Sequence, residues 1–104
     1  SMEHELITII VDNGRADDII AAARKGGARG ATTLHGHGTA SDKAAKFFNL
    51  EIEPEKDIVF MLAPAQSAPQ IEDAIDQRLD LNKPNHGILF TQNVVAVSGL
   101  YQGA

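Results

Sequence analysis

Apolar residues follow two rhythms along this chain, near-continuous runs and stripes of helical spacing, and together they predict alternating strands and helices. From Glu5 to Val11, the residues Leu6, Ile7, Ile9, Ile10 and Val11 are broken only by Thr8, a β-favouring composition that predicts a strand. Asp12-Asn13-Gly14 supplies turn and capping chemistry. Ala16, Ile19, Ile20 and Ala23 then recur at the i, i+3, i+4, i+7 spacing of one buried helical face. Asp17 and Asp18 in the first turn and Arg24 and Lys25 in the last suit the helix dipole. Gly26 and Gly27 are expected to end the helix as C-cap residues in the left-handed conformation.

Thr32, Thr33 and Leu34 predict a second strand that empties into a loop, where Gly36 and Gly38 let a backbone or a ligand approach closely. The loop is not a P-loop, because no Gly-Lys-Ser/Thr follows. A turn or two of helix is expected within Ser41 to Phe48, where Phe47 and Phe48 are available to pack. A short strand-like alternation follows over Leu50-Glu51-Ile52-Glu53, broken by Pro54. Asp57 to Ala63 is the third strand, with Ile58 to Leu62 apolar on both faces. Ser67 and Gln70 form a capping-box pattern with Pro69 in the first turn, and Ile71, Ala74, Ile75 and Leu79 make the inward stripe of a second helix. After the turn-rich Asn82 to Gly87, a short fourth strand covers Ile88 to Thr91, and Asn93 to Leu100 reads as a last extended segment.

The order β-α-β-β-α-β predicts an α+β, ferredoxin-like domain with a four-stranded antiparallel sheet. Two helices cover only one face of such a sheet. The first and third strands are nonetheless nearly unbroken apolar runs, as expected when both faces are buried. The second face therefore needs a partner, and another copy of the same chain is the simplest supplier.

Composition narrows the class. A chain of 104 residues suits one domain, 1–104, with Ser1 reading as a tag remnant before Met2. The formal net charge of −5 argues against a nucleic-acid surface. The absence of cysteine excludes disulfides, thiolate nucleophiles and sulfur-ligated metals. No apolar run is long enough to span a bilayer and no signal-peptide pattern opens the chain, so a soluble, cytoplasmic protein without membrane insertion is expected.

Little in the chain points to catalysis. Asp17, Asp18, Asp73 and Asp76 lie on amphipathic helices as solvated faces and dipole partners, not as an acid–base pair. The run Glu51-Glu53-Glu55-Lys56-Asp57 reads as a solvated edge that discourages sheet-to-sheet pairing. His35 and His37 project to one face of their strand and make a plausible half-site for zinc, copper or nickel. The plainer reading makes them polar residues lining a cleft, and no metal ligand set is assigned from the sequence.

Gly30-Ala31-Thr32-Thr33 after a Gly-Gly helix end, Gly38 opening a loop, Leu50 to Leu62 re-entering the sheet, and Gly87-Ile88-Leu89-Phe90 together resemble the PII nitrogen-regulatory signalling proteins. The resemblance runs from Leu6 to about Leu100 and rests on joint order and spacing. It implies a non-enzymatic homotrimer with three ligand clefts between subunits, each built from the loop after the second strand and the loop before the fourth. Carried over by position, Thr32 approaches an adenine, Gly38 sits at the base of the long loop, and Gly87 belongs to the phosphate-side loop. The expected cleft takes Thr32, Thr33, His37, Gly38 and Thr39 from one loop and Asn85, His86 and Gly87 from the other. The implied effector is a small molecule, with AMP, ADP or ATP the candidates and no cofactor certain, and the 39–49 loop is the implied contact for a target protein. The resemblance also has departures. The phosphate-binding lysine is replaced by Ile88, the Arg-Gln after the loop glycine reads Ser41-Asp42, and Val94 to Leu100 holds no basic residue. The loop is shortened and lacks a tyrosine. The alternative is a trimeric divalent-metal-binding protein resembling the copper-tolerance relatives of PII, using His35 and His37, with His86 from a neighbouring subunit as a further candidate.

Overall fold

Strands and helices alternate in the computed structural model as β1 (His4–Asp12), α1 (Ala16–Lys25), β2 (Thr32–His37), β3 (Glu55–Pro64), α2 (Ala68–Leu79) and β4 (Ile88–Val94). The structure describes residues 3–37, 55–81, 83 and 86–100. The helix expected within 41–48 and the strand-like 50–53 lie outside the described residues. All pairings are antiparallel and the strand order is β2-β3-β1-β4, the ferredoxin-like arrangement that the pattern predicts.

The register sorts the strands into two faces. On one, Ile7, Ile9 and Val11 of β1 stand beside Met61, Val59 and Asp57 of β3. Over them pack Ile19 and Ala23 of α1 and Ile71, Ile75 and Leu79 of α2, and this cluster is the core. On the other face the cross-strand rows read Leu34–Ile58–Ile10–Ile88, Thr32–Phe60–Thr8–Phe90 and Leu62–Leu6–Gln92. No described element covers these rows. Ile88 is 53 % exposed, Leu34 51 %, Phe90 39 % and Leu62 37 %, a level of apolar exposure on one continuous face that a solitary chain does not favour. At its centre the Thr8 hydroxyl is buried and has no hydrogen-bond partner among the described residues.

The helix ends depart from expectation in instructive ways. Only Gly27 is left-handed, at φ +111°, whereas Gly26 is right-handed at φ −81°. Gly26 is needed for proximity: a Cβ there would lie 2.8 Å from both the Gln70 carbonyl oxygen and the Ile71 Cα, where the two helices touch. The Ser67–Gln70 capping box does not form. Ser67 is the N-cap of α2 without a side-chain hydrogen bond, and Gln70 Nε2 instead donates to the Gly26 carbonyl at 2.8 Å. The inter-helix contact therefore takes the side chain that the local motif would have used. At the carboxyl end, β4 pairs along β1 as far as Val94, beyond the predicted Thr91. Of the extended segment expected over Asn93 to Leu100, the first two residues belong to β4 and residues 95–100 follow without regular structure.

Candidate functional site

Loops gathered at one end of the sheet carry the candidate residues. The end of β2 pairs with the start of β3, which pairs with the end of β1, and the end of β1 pairs with the start of β4. The exit from β2 and the entry to β4 thus share an end of the sheet but occupy opposite edges, three inter-strand spacings or about 14 Å apart. One chain does not bring the two halves of the expected cleft together. Thr32 and Thr33 also diverge: Thr32 is exposed on the uncovered face beside Phe60, while Thr33 is half-buried on the helix-covered face beside Val59. His37 is exposed at the end of β2, opposite Glu55. Gly38, Thr39 and Asn85 lie outside the described residues.

On the β4 side, His86 Nδ1 lies 2.9 Å from the Leu79 carbonyl oxygen. A carbonyl only accepts, so Nδ1 carries the proton and ties the loop to the last turn of α2, whose terminal carbonyls lack helical partners. Gly87 adopts φ +133°, and a Cβ on it would meet Val11 Cγ1 at 2.9 Å and the Ile10 carbonyl oxygen at 3.0 Å. Its glycine character is thus required for the loop to lie against β1, before any ligand is considered. Gly87→Ala is expected to destabilise the protein by about 1–3 kcal/mol through forced backbone conformation and overlap. Urea unfolding without ligand checks this, and an unchanged midpoint would remove the steric account.

The solvated-edge reading of the run ending at Asp57 is wrong for that residue. Asp57 is only 2 % exposed, on the helix-covered face of β3. Its Oδ2 accepts from the backbone N–H groups of Gly14 at 2.9 Å and Ala16 at 3.4 Å, and its Oδ1 lies 2.7 Å from His35 Nδ1. The N-cap residue of α1, Arg15, makes no side-chain cap bond, and Asp12-Asn13 do not supply one either. Instead Asp12 accepts from Lys56 Nζ at 2.7 Å and the Asn13 amide donates to Glu55 at 3.3 Å. Asp57 thus caps α1 from across the sheet, where a carboxylate also meets the positive end of the helix dipole. Burial pushes its carboxyl up, but the Gly14 N–H, the His35 ring and the Ala16 N–H together outweigh burial and hold it below the usual aspartate value.

The helical carboxylates behave as solvated groups. Asp17, Asp18, Asp73 and Asp76 are exposed, and Asp18 pairs with Arg78 at 3.0 Å across the two helices. Burial first, then the charge of Asp73, pushes Asp76 up. No helix among the described residues is long and apolar enough to cross a membrane.

The fold is that of PII-type proteins. No protein-family model matches the chain and no curated protein matches its sequence. Solved structures do match. Bacillus subtilis GlnK, in its ATP complex, superposes at a TM-score of 0.66 with 17% identity, over 88% of this chain and 82% of that one. A DUF3240 family protein from Shewanella baltica gives 0.69 with 15% identity, over 94% and 97%. CPII, a nitrogen regulatory PII-like protein from Thiomonas intermedia bound to ADP, AMP and bicarbonate, gives 0.68 with 11% identity, again over 94% and 97%.

Proposed function

We propose that this chain is a divergent PII-like regulatory protein, not an enzyme, that works in the cytoplasm. It assembles as a homotrimer and binds a small effector, most simply an adenine nucleotide, in clefts between subunits. The observation that carries the reading is the split cleft. The loops after β2 and before β4 share one end of the sheet but lie at opposite edges, so a ligand touching both needs two chains side by side. The uncovered apolar face supplies the surface that would hold those chains together. The fold shared with GlnK and CPII, whose structures contain adenine nucleotides, supports the ligand class. The cleft would take Thr32, Thr33, His37, Gly38 and Thr39 from one subunit and Asn85, His86 and Gly87 from the next. The 39–49 segment beside it would face the target protein.

Within this reading the nucleotide is held by base and ribose more than by phosphate. Ile88 stands where the resemblance implies a lysine, and residues 94–100 contain no cation. A charge-assisted hydrogen bond contributes about 1.5–3 kcal/mol, so the loss of two or three removes most of a preference for ATP. Calorimetry with AMP, ADP and ATP at fixed magnesium is the test. All three are expected to bind, with ATP no more than about tenfold tighter than AMP, roughly 1.4 kcal/mol. A larger gap overturns the base-and-ribose reading, and no binding of any of the three overturns the nucleotide reading.

A further inference from the structure

We propose that His35 and His37 form the protein half of a divalent transition-metal site, with Asp57 as the positioning residue that presents His35 Nε2 to the metal. Asp57 already accepts two backbone N–H groups through Oδ2, and its Oδ1 faces His35 Nδ1 at 2.7 Å. An ionised carboxylate has no proton to give, so Nδ1 donates and the neutral ring keeps its lone pair on Nε2. The carboxylate is almost fully buried, whereas the His35 side chain is 75 % exposed. Nε2 therefore points away from the buried anchor, toward solvent. A carboxylate on one ring nitrogen and a free lone pair on the other is the arrangement that orients metal-bound histidines and raises their basicity.

A second imidazole stands beside it. His37 is two residues further along β2, on the same face, with Cα atoms about 6.6 Å apart, a span that two imidazoles can close around one ion. The register places Asp57 opposite His35 and Glu55 opposite His37, with the Glu55 carboxylate accepting from the Asn13 amide at 3.3 Å. Lys56, the cation between them in sequence, belongs to the other face and is paired with Asp12. Among the described residues, the one carboxylate in contact with a ring of the pair is that of Asp57, at 2.7 Å from His35 Nδ1. Two neutral nitrogen donors, without a cage of oxygens, select zinc, nickel or copper over calcium or magnesium. Among the described residues no three His, Asp or Glu side chains converge on one point. Two protein ligands with the other positions open to exchange are the pattern of an exchangeable site and not of a closed structural one. His86 does not join within the same chain, since it precedes β4 at the opposite edge of the sheet.

Zinc alone, titrated into the full chain without tag or nucleotide and in competition with a chromophoric chelator, tests the site. One zinc per chain is expected, and His37→Ala and His35→Ala should each weaken binding at least about tenfold; His35→Ala also removes a partner of the buried Asp57 carboxylate, so its far-ultraviolet spectrum is recorded alongside. Asp57→Asn turns an amide N–H toward the ring and moves the proton to Nε2, which should weaken zinc binding by about 10- to 100-fold. Histidine ring 15N spectra supply a readout that a purely structural role would not move. His35 should be the Nδ1–H tautomer in the wild type and the Nε2–H tautomer in Asp57→Asn, and zinc should shift the wild-type Nε2 resonance. Absence of zinc binding, unchanged affinity in either histidine variant, or an Nε2–H tautomer in the wild type would each overturn the proposal. Because no nucleotide is present, these results leave the effector reading to the calorimetry, even though His37 is shared with that cleft.

Discussion

Light scattering on the tag-free protein is expected to give three times the chain mass, and Phe90→Asp to reduce it to one chain with the far-ultraviolet spectrum retained. Phe90 lies in the central row of the uncovered face, beside Thr8, and contributes nothing to the helix-covered core. A carboxylate there is solvated in a free subunit but stranded between apolar side chains in an assembly. An unpaired buried charge costs about 3–5 kcal/mol. Each 1.4 kcal/mol shifts association about tenfold, so the penalty amounts to about two to three and a half orders of magnitude per contact. A monodisperse wild-type monomer would defeat both the assembly and the split cleft that depends on it.

Asp57→Ala is expected to lower stability by about 2–4 kcal/mol. Hydrogen bonds to a charged group contribute about 1.5–3 kcal/mol each, and Asp57 accepts one short backbone bond and one long one at the start of α1. The same carboxylate sets a pH dependence. Its folded pKa lies below the unfolded one, so its contribution is complete above the unfolded value and disappears as pH falls through the folded value. Urea midpoints at neutral and strongly acidic pH should therefore converge between wild type and Asp57→Asn as the medium is acidified. A gap that stays constant with pH would show that the capping carboxylate is not the titrating element.

The parts of the fold that are legible in the sequence are those whose information is local. Ile7, Ile9 and Val11 announce β1, the Ile71–Ile75–Leu79 stripe announces α2, and the apolar character of Ile58 and Phe60 announces a second apolar face. What is not legible depends on contacts between segments distant in sequence. Asp57 sits in a charged run and looks solvated, yet its partners are 22 to 43 residues away. One signal was available: Ala63, Met61 and Val59 alternate inward, and the same period of two arrives next at Asp57. Gln70 similarly matches a local capping motif, and only the approach of Gly26 reveals its real partner. Thr32 and Thr33 look like one patch in sequence, but the pleat places them on opposite faces.

The cap that Asp57 places on α1 also has a consequence for how the chain is made. The helix ends at Lys25, while the group that closes its first turn is more than thirty residues further along, in a strand that has not yet left the ribosome when the helix does. A nascent or truncated chain that stops before β3 carries a ten-residue α1 whose leading N–H groups lack that carboxylate. Helices this short are marginal on their own in water. The amino-terminal half is thus not a self-sufficient folding unit, because α1 is completed only when β3 docks between β1 and β2 and brings the carboxylate that closes it.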